Sequence, residues 1–146
     1  MKAFEELKED LLTRAKNAGA CQKGYVMGLR SETKADLLKA ITENWFWVFR
    51  DTKIVNPEYL EDNFTEKELL QAGIYIRGIH EAKASSFACG SATVKAYDSA
   101  TVEAYGNSYV EDCIGNIRPQ SDYAIVKDYY NHKIYIKKGK FEIIEV

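Results

Sequence analysis

Residues 91–106 are two tandem octads, Ser91-Ala-Thr-Val-Lys-Ala-Tyr-Asp98 and Ser99-Ala-Thr-Val-Glu-Ala-Tyr-Gly106, which differ only at Lys95/Glu103 and Asp98/Gly106. Ala92, Val94 and Ala96, then Ala100, Val102 and Ala104, alternate with Thr93, Lys95 and Tyr97, then Thr101, Glu103 and Tyr105. A period of two is the pattern of a half-buried strand. Because eight is even, a strand and corner repeated at this interval keep Ala and Val on one face from octad to octad, as a solenoid requires. The phase extends back over residues 83–90 and forward over residues 107–114, which puts Gly90, Asp98 and Gly106 at corners. Corners need positive φ or a side chain bonded to the backbone, which these residues supply.

An antiparallel β-meander is the alternative. A two-residue turn at Asp98-Ser99 would pair Val94 with Glu103 and Lys95 with Val102, placing charge on the apolar face. A three-residue loop restores the pairing but wants a left-handed residue near Ala100, where neither Gly nor Asn stands. The short parallel solenoid is therefore the preferred reading. Ala at most inward positions implies a narrow interior.

The chain ahead of the octads follows a different period. Phe4, Leu7, Leu11, Ala15 and Ala18 recur at spacings of three and four, predicting a helix over residues 2–19, and a second short helix is expected over residues 21–27, stopping at Gly28. Thr33-Lys-Ala-Asp36 has the form of a capping box, after which Leu37, Leu38, Ile41, Trp45, Val48 and Phe49 trace one helical stripe to about Arg50. Trp45-Phe-Trp-Val-Phe49 is apolar almost all round and reads as buried on two sides. Asn56-Pro57 opens a helix carrying Tyr59 and Leu60, and Thr65-Glu-Lys-Glu68 opens another that Gly73 ends. At Ile74-Tyr-Ile76 the period becomes two. The expected class is thus α+β: a helical domain over residues 1–72, a connector over residues 73–82 and an octad-repeat solenoid over residues 83–146.

Beyond the octads, Pro119 must occupy a corner or an edge, since it cannot donate to a ladder. Alternation returns with Ala124 and Val126, then Ile134 and Ile136, then Phe141, Ile143 and Ile144, with Lys127, Lys133, Lys137, Lys138 and Lys140 expected on the polar face. Lysine-rich closing strands with bulky inward residues fit a cap on an open solenoid end. Lys133, Lys137, Lys138 and Lys140 are also the candidate contacts for an anionic partner.

Catalytic signatures are missing from the sequence. The two histidines, His80 and His132, have no metal-ligand spacing, and no phosphate-binding, dinucleotide, nucleophile-elbow or zinc-protease motif is present. The expectation is a non-enzyme with no cofactor, no metal and no catalytic residue. Twenty basic against twenty-two acidic residues exclude a strongly basic nucleic-acid footprint over the whole chain. No apolar run approaches the ~20 residues of a membrane span, and the amino terminus carries no signal-peptide core. Three widely spaced cysteines, Cys21, Cys89 and Cys113, fit reduced thiols in a cytoplasm better than a disulfide framework.

The patterned surface is the outward side of the octads. Lys95, Tyr97, Glu103, Tyr105 and Tyr109 are the candidate interaction face, with Thr93 and Thr101 beside them. Tyrosine combines a large rigid contact area with a hydrogen-bonding tip. The expected function is a protein-interaction module that holds an unidentified partner through its helical domain and this face. Association of a second copy through solenoid ends or edges, and weak nucleic-acid binding through the carboxy-terminal lysines, are the other partner classes; no membrane is expected.

The octads, preceded by a helical region ending in Leu69-Leu-Gln-Ala-Gly-Ile-Tyr-Ile76, resemble small proteins encoded in phages and mobile elements of gut bacteria. The resemblance implies a bacterial cytoplasm and, as a variant of the interaction reading, an inhibitor of a host defence complex. It supplies no activity and no functional residues to carry over.

Overall fold

The computed structural model describes residues 1–121, 123–137 and 141–145. The chain divides into two compact units, Met1–Ala72 and Gly73–Val146.

The first unit contains helices α1 (Phe4–Asn17), α2 (Gln22–Leu29), α3 (Lys34–Glu43), α4 (Pro57–Asn63) and α5 (Glu66–Gln71). Both capping boxes form: Asp36 N donates to Thr33 Oγ1 at 3.2 Å and Thr33 N to the Asp36 carboxylate at 2.9 Å, with Thr65 and Glu68 repeating the exchange. These bonds hold the Asp36 and Glu68 carboxyls below their ordinary range, Thr33 and Thr65 being the first cause in each case. Leu7, Leu37, Leu38, Leu60, Phe64 and Val55 are buried at the centre. The Tyr59 hydroxyl donates to Asp10 at 2.6 Å, and Lys2 and Arg14 meet the same carboxylate at 2.9 and 3.0 Å, joining α1 to α4. Burial, then the bond to Asp10, pushes the Tyr59 phenol up.

The expected single helix to Arg50 is not formed. α3 ends at Glu43, the Asn44 amide donates back to the Ala40 carbonyl at 2.8 Å, and a π-helical turn follows over Phe46–Asp51. Thr52 closes it, its backbone N–H and its hydroxyl both donating to the Trp47 carbonyl. The wider turn rotates successive side chains, so the aromatic run is not buried on two sides. Trp45 and Val48 are buried, Trp47 and Phe49 half-buried, and Phe46 is exposed. α2 also runs one residue past the stop expected at Gly28.

The second unit is a parallel β-solenoid, with two strands to each coil. β1 (Ile74–Tyr75), β3 (Ser86–Ala88) and β5 (Val102–Ala104) form a three-stranded parallel sheet. β2 (Ile79–Ala82), β4 (Thr93–Ala96), β6 (Tyr109–Asp112), β7 (Ile125–Asp128), β8 (Lys133–Lys137) and β9 (Phe141–Glu145) form the second sheet in that order. Thr93 pairs with Tyr109 and Tyr109 with Ile125, each sixteen residues on, so one coil is two octads. The segment expected as a connector builds the first coil: β1 pairs with β3 and β2 with β4.

Ala88 and Ala104 from one sheet and Val94, Val110, Val126, Ala82 and Ala96 from the other fill the interior. Their small size permits the close approach that the sequence implied. Gly90 and Gly106, at φ +59° each, stack at one corner, while Asp98, at φ +53°, turns the other. In the first coil, Tyr75 and His80 stack at 4.6 Å, and the His80 ring donates to the Arg77 carbonyl at 2.6 Å.

The far end closes with an antiparallel hairpin, β7 pairing with β8 and β8 with β9. Tyr135, opposite Val126, is buried, and the Arg118 guanidinium lies 3.9 Å from its ring centre. Directly opposed residues share a face. Ile134 and Ile136, opposite Lys127 and Ile125, therefore lie on the outer face, contrary to the expected phase. Lys133 opposes buried Asp128 on the core side.

Candidate interaction face

The sixteen-residue coil places the two octads on opposite sheets. Lys95 neighbours Glu81 and Glu111, whereas Glu103 neighbours Phe87 on the three-stranded sheet. The candidate face is thereby divided: Lys95, Tyr97 and Tyr109 come together on the six-stranded sheet, and Glu103 stands apart from them. Tyr105 is only 3% exposed, its hydroxyl donating to Glu103 at 3.1 Å. It is a packing residue at the corner.

The register builds two rows across the outer face of the six-stranded sheet, with a third beside them. The first is Ile79, Thr93, Tyr109, Ile125 and Ile136. Ile79, on the edge strand, is 83% exposed, and the next four are half-exposed. The second row is Glu81, Lys95, Glu111, Lys127 and Ile134, a ladder of alternating charge. Lys95 Nζ stands 4.0 Å from Glu111. The third row continues the strands through Tyr97, Cys113 and Tyr129, whose amides donate to Ala82, Ala96 and Asp112. The Tyr129 hydroxyl donates to Glu111 at 3.2 Å.

The lysines lie over tyrosines two residues ahead, Lys95 at 5.4 Å from the Tyr97 ring centre and Lys127 at 4.6 Å from that of Tyr129. Hydrogen bonding to those hydroxyls raises both ammonium pKa values above the ordinary range. Burial, followed by the charge of Glu111, pushes the Tyr109 phenol up as well. These are surface contacts of modest energy, which order the side chains more than they stabilise the fold.

Sequence reasoning missed Ile79, Ile125 and Ile136 on this face. The signal for Ile125 is its position sixteen residues after Tyr109, which becomes readable once the coil length is known. Of the candidate anion contacts, Lys138 and Lys140 lie outside the described residues. Lys133 and Lys137 belong to β8, opposite Glu145 and Phe141.

Buried Asp112 and Asp128 are neighbours on adjacent coils, a pairing that in another setting serves acid–base chemistry. Here their oxygens are committed to corners. Asp112 accepts backbone N–H bonds from Ile114, Gly115 and Ile117 at 2.8–2.9 Å, and Asp128 accepts one from the Asn131 backbone and one from the Asn131 side-chain amide, each at 2.8 Å. Among the described residues no group of three or more His, Cys, Asp or Glu side chains is placed to hold a metal ion, and no helix is long and apolar enough to cross a membrane. No protein-family model matches the chain, nor does any curated protein or solved structure.

Proposed function

We propose that the chain is a non-enzymatic protein-interaction module that receives its partner on the outer face of the six-stranded sheet. One observation carries the reading: the coil register gathers Ile79, Thr93, Tyr109, Ile125 and Ile136 into a row of three isoleucines interleaved with a threonine and a tyrosine. Beside it the charged row alternates in sign, so it fixes register for a partner while presenting little net field. The same alternation favours a protein over a nucleic acid, whose phosphates need a run of uncompensated cations. A host defence complex as that partner rests on the resemblance to phage-encoded proteins.

The test compares three tagged full-length chains as baits in bacterial lysate at low and high salt: the wild type, Tyr109→Ser/Ile125→Ser on the face, and Glu103→Gln on the other sheet. A single stoichiometric protein retained at high salt by the wild type and Glu103→Gln, and lost by the folded face variant, supports the proposal. Equal capture by the face variant, or recovery of nucleic acid alone at low salt, removes it.

A further inference from the structure

The helical unit contains a pocket of about 290 Å³ between α1, α2, α3 and the π-helical turn. Its floor is buried and apolar, made by Leu11, Leu37, Ile41, Val48 and Val55. Its walls are half-exposed, and Cys21 and Gly19 stand exposed at the rim. The pocket therefore grades from a dry floor to solvent. The side is formed by α2, which has no buried side chain of its own. A Cβ on Gly24 would lie 3.2 Å from Asn44 Oδ1, and one on Gly28 3.2 Å from Leu12 Cδ2, so the α2 backbone itself approaches its neighbours. From the opposite side the π-helical turn contributes Trp47 and Val48. Inserted π turns are frequent where a helix shapes a binding site.

We propose that this pocket binds a small uncharged apolar molecule, an aromatic or short alkyl compound. No Asp, Glu, Lys, Arg or His lines it, and burying an ionised ligand there without a counter-charge is unfavourable. The polar side chains in the lining are Cys21, Tyr25, Asn44 and Trp47; the Asn44 nitrogen already donates to the Ala40 carbonyl, which leaves its oxygen and the other three to orient one hydrogen-bonding group of a ligand. A cavity of about 150 Å³ accommodates benzene. This pocket, at nearly twice that volume, suits a fused bicycle of about ten non-hydrogen atoms.

Indole is the probe, titrated into the isotope-labelled full-length chain and followed by amide and methyl NMR shifts. Saturable shifts confined to the pocket-lining residues are expected, weakened at least tenfold in Ala15→Phe, which fills the space from α1. Ala40→Leu fills it from α3 and replaces the first variant if that one does not fold. Saturating indole should also slow alkylation of Cys21 at the rim by threefold or more. An absence of saturable shifts up to the solubility limit of indole overturns the proposal, as does undiminished binding in a filled variant that keeps its fold.

Discussion

Replacing Gly90 with alanine should be far more damaging than its small size suggests. At φ +59° the added Cβ costs about 1 kcal/mol in backbone strain. It would also stand 2.6 Å from the Ile76 carbonyl oxygen and 3.0 Å from Ile76 Cγ2. That oxygen accepts from Ser91 N at 2.9 Å, so relieving the clash stretches a corner bond between coils. Overpacking of this kind costs roughly 1–3 kcal/mol, giving about 3 kcal/mol in all, or two powers of ten in the unfolding equilibrium. Asp98→Gly is the matched control, because Asp98 already turns its corner at φ +53° with a Cβ in place; its effect should stay within about 1 kcal/mol. Both tryptophans belong to the helical unit, so their fluorescence reports that unit in urea, while amide exchange at Val94 and Val110 reports the solenoid. Exchange about 100-fold faster in Gly90→Ala, with the tryptophan transition in place, is the expected result. Exchange rates equal to wild type would refute the stacked-corner geometry.

Asp112→Ala strands three backbone donors around Ile114, Gly115 and Ile117; a loss of roughly 3–5 kcal/mol is expected, read by amide exchange in β6 and β7. Thr33→Ala and Thr65→Ala each remove a cap and should lower the urea midpoint of the tryptophan transition by an amount equivalent to about 1 kcal/mol. The Asp10 carboxyl is destabilised by burial, but bonds from Tyr59 and Lys2 and the charges of Arg14 and Lys2 outweigh this and set it below the ordinary range, as capping does for Asp36 and Glu68. A depressed folded-state value means stability that is complete above the unfolded value of about 4 and lost as pH falls through the folded one. The helical unit should accordingly hold a constant urea midpoint from pH 7 to about 5 and lose stability below about 4; a midpoint that rises on acidification would contradict these contacts.

The octads made strands, corners and a narrow interior legible because alternation, Gly90, Gly106 and Asp98 speak to local geometry. They could not reveal which residues become neighbours. Eight and sixteen are both even, so the apolar parity is identical whether an octad lies beside its repeat or across the coil from it. The octad wording therefore groups Lys95 with Glu103, whereas the two-strand coil sets it beside Glu81 and Glu111. The first coil was hidden because β2 meets β4 after fourteen residues, Ile79 against Thr93, without the octad wording. In β8, Lys133-Ile-Tyr-Ile-Lys137 alternates in either phase, and the larger, partly polar Tyr135 covers the core end. The π-helical turn overlaps Trp45-Phe-Trp-Val-Phe49, which is apolar on every side, so the stripe through Trp45, Val48 and Phe49 does not by itself distinguish an α-helical from a π-helical turn.

The middle of the outer face depends on residues sixteen apart being neighbours, Thr93 with Tyr109 and Tyr109 with Ile125, and nuclear Overhauser contacts test this directly. Cross-strand contacts joining Val94 to Val110 and Val110 to Val126, with Lys95 amide contacts to Glu111, are the expected pattern. Contacts joining Lys95 to Glu103 as adjacent strand residues would contradict the two-octad coil and dissolve the face built upon it.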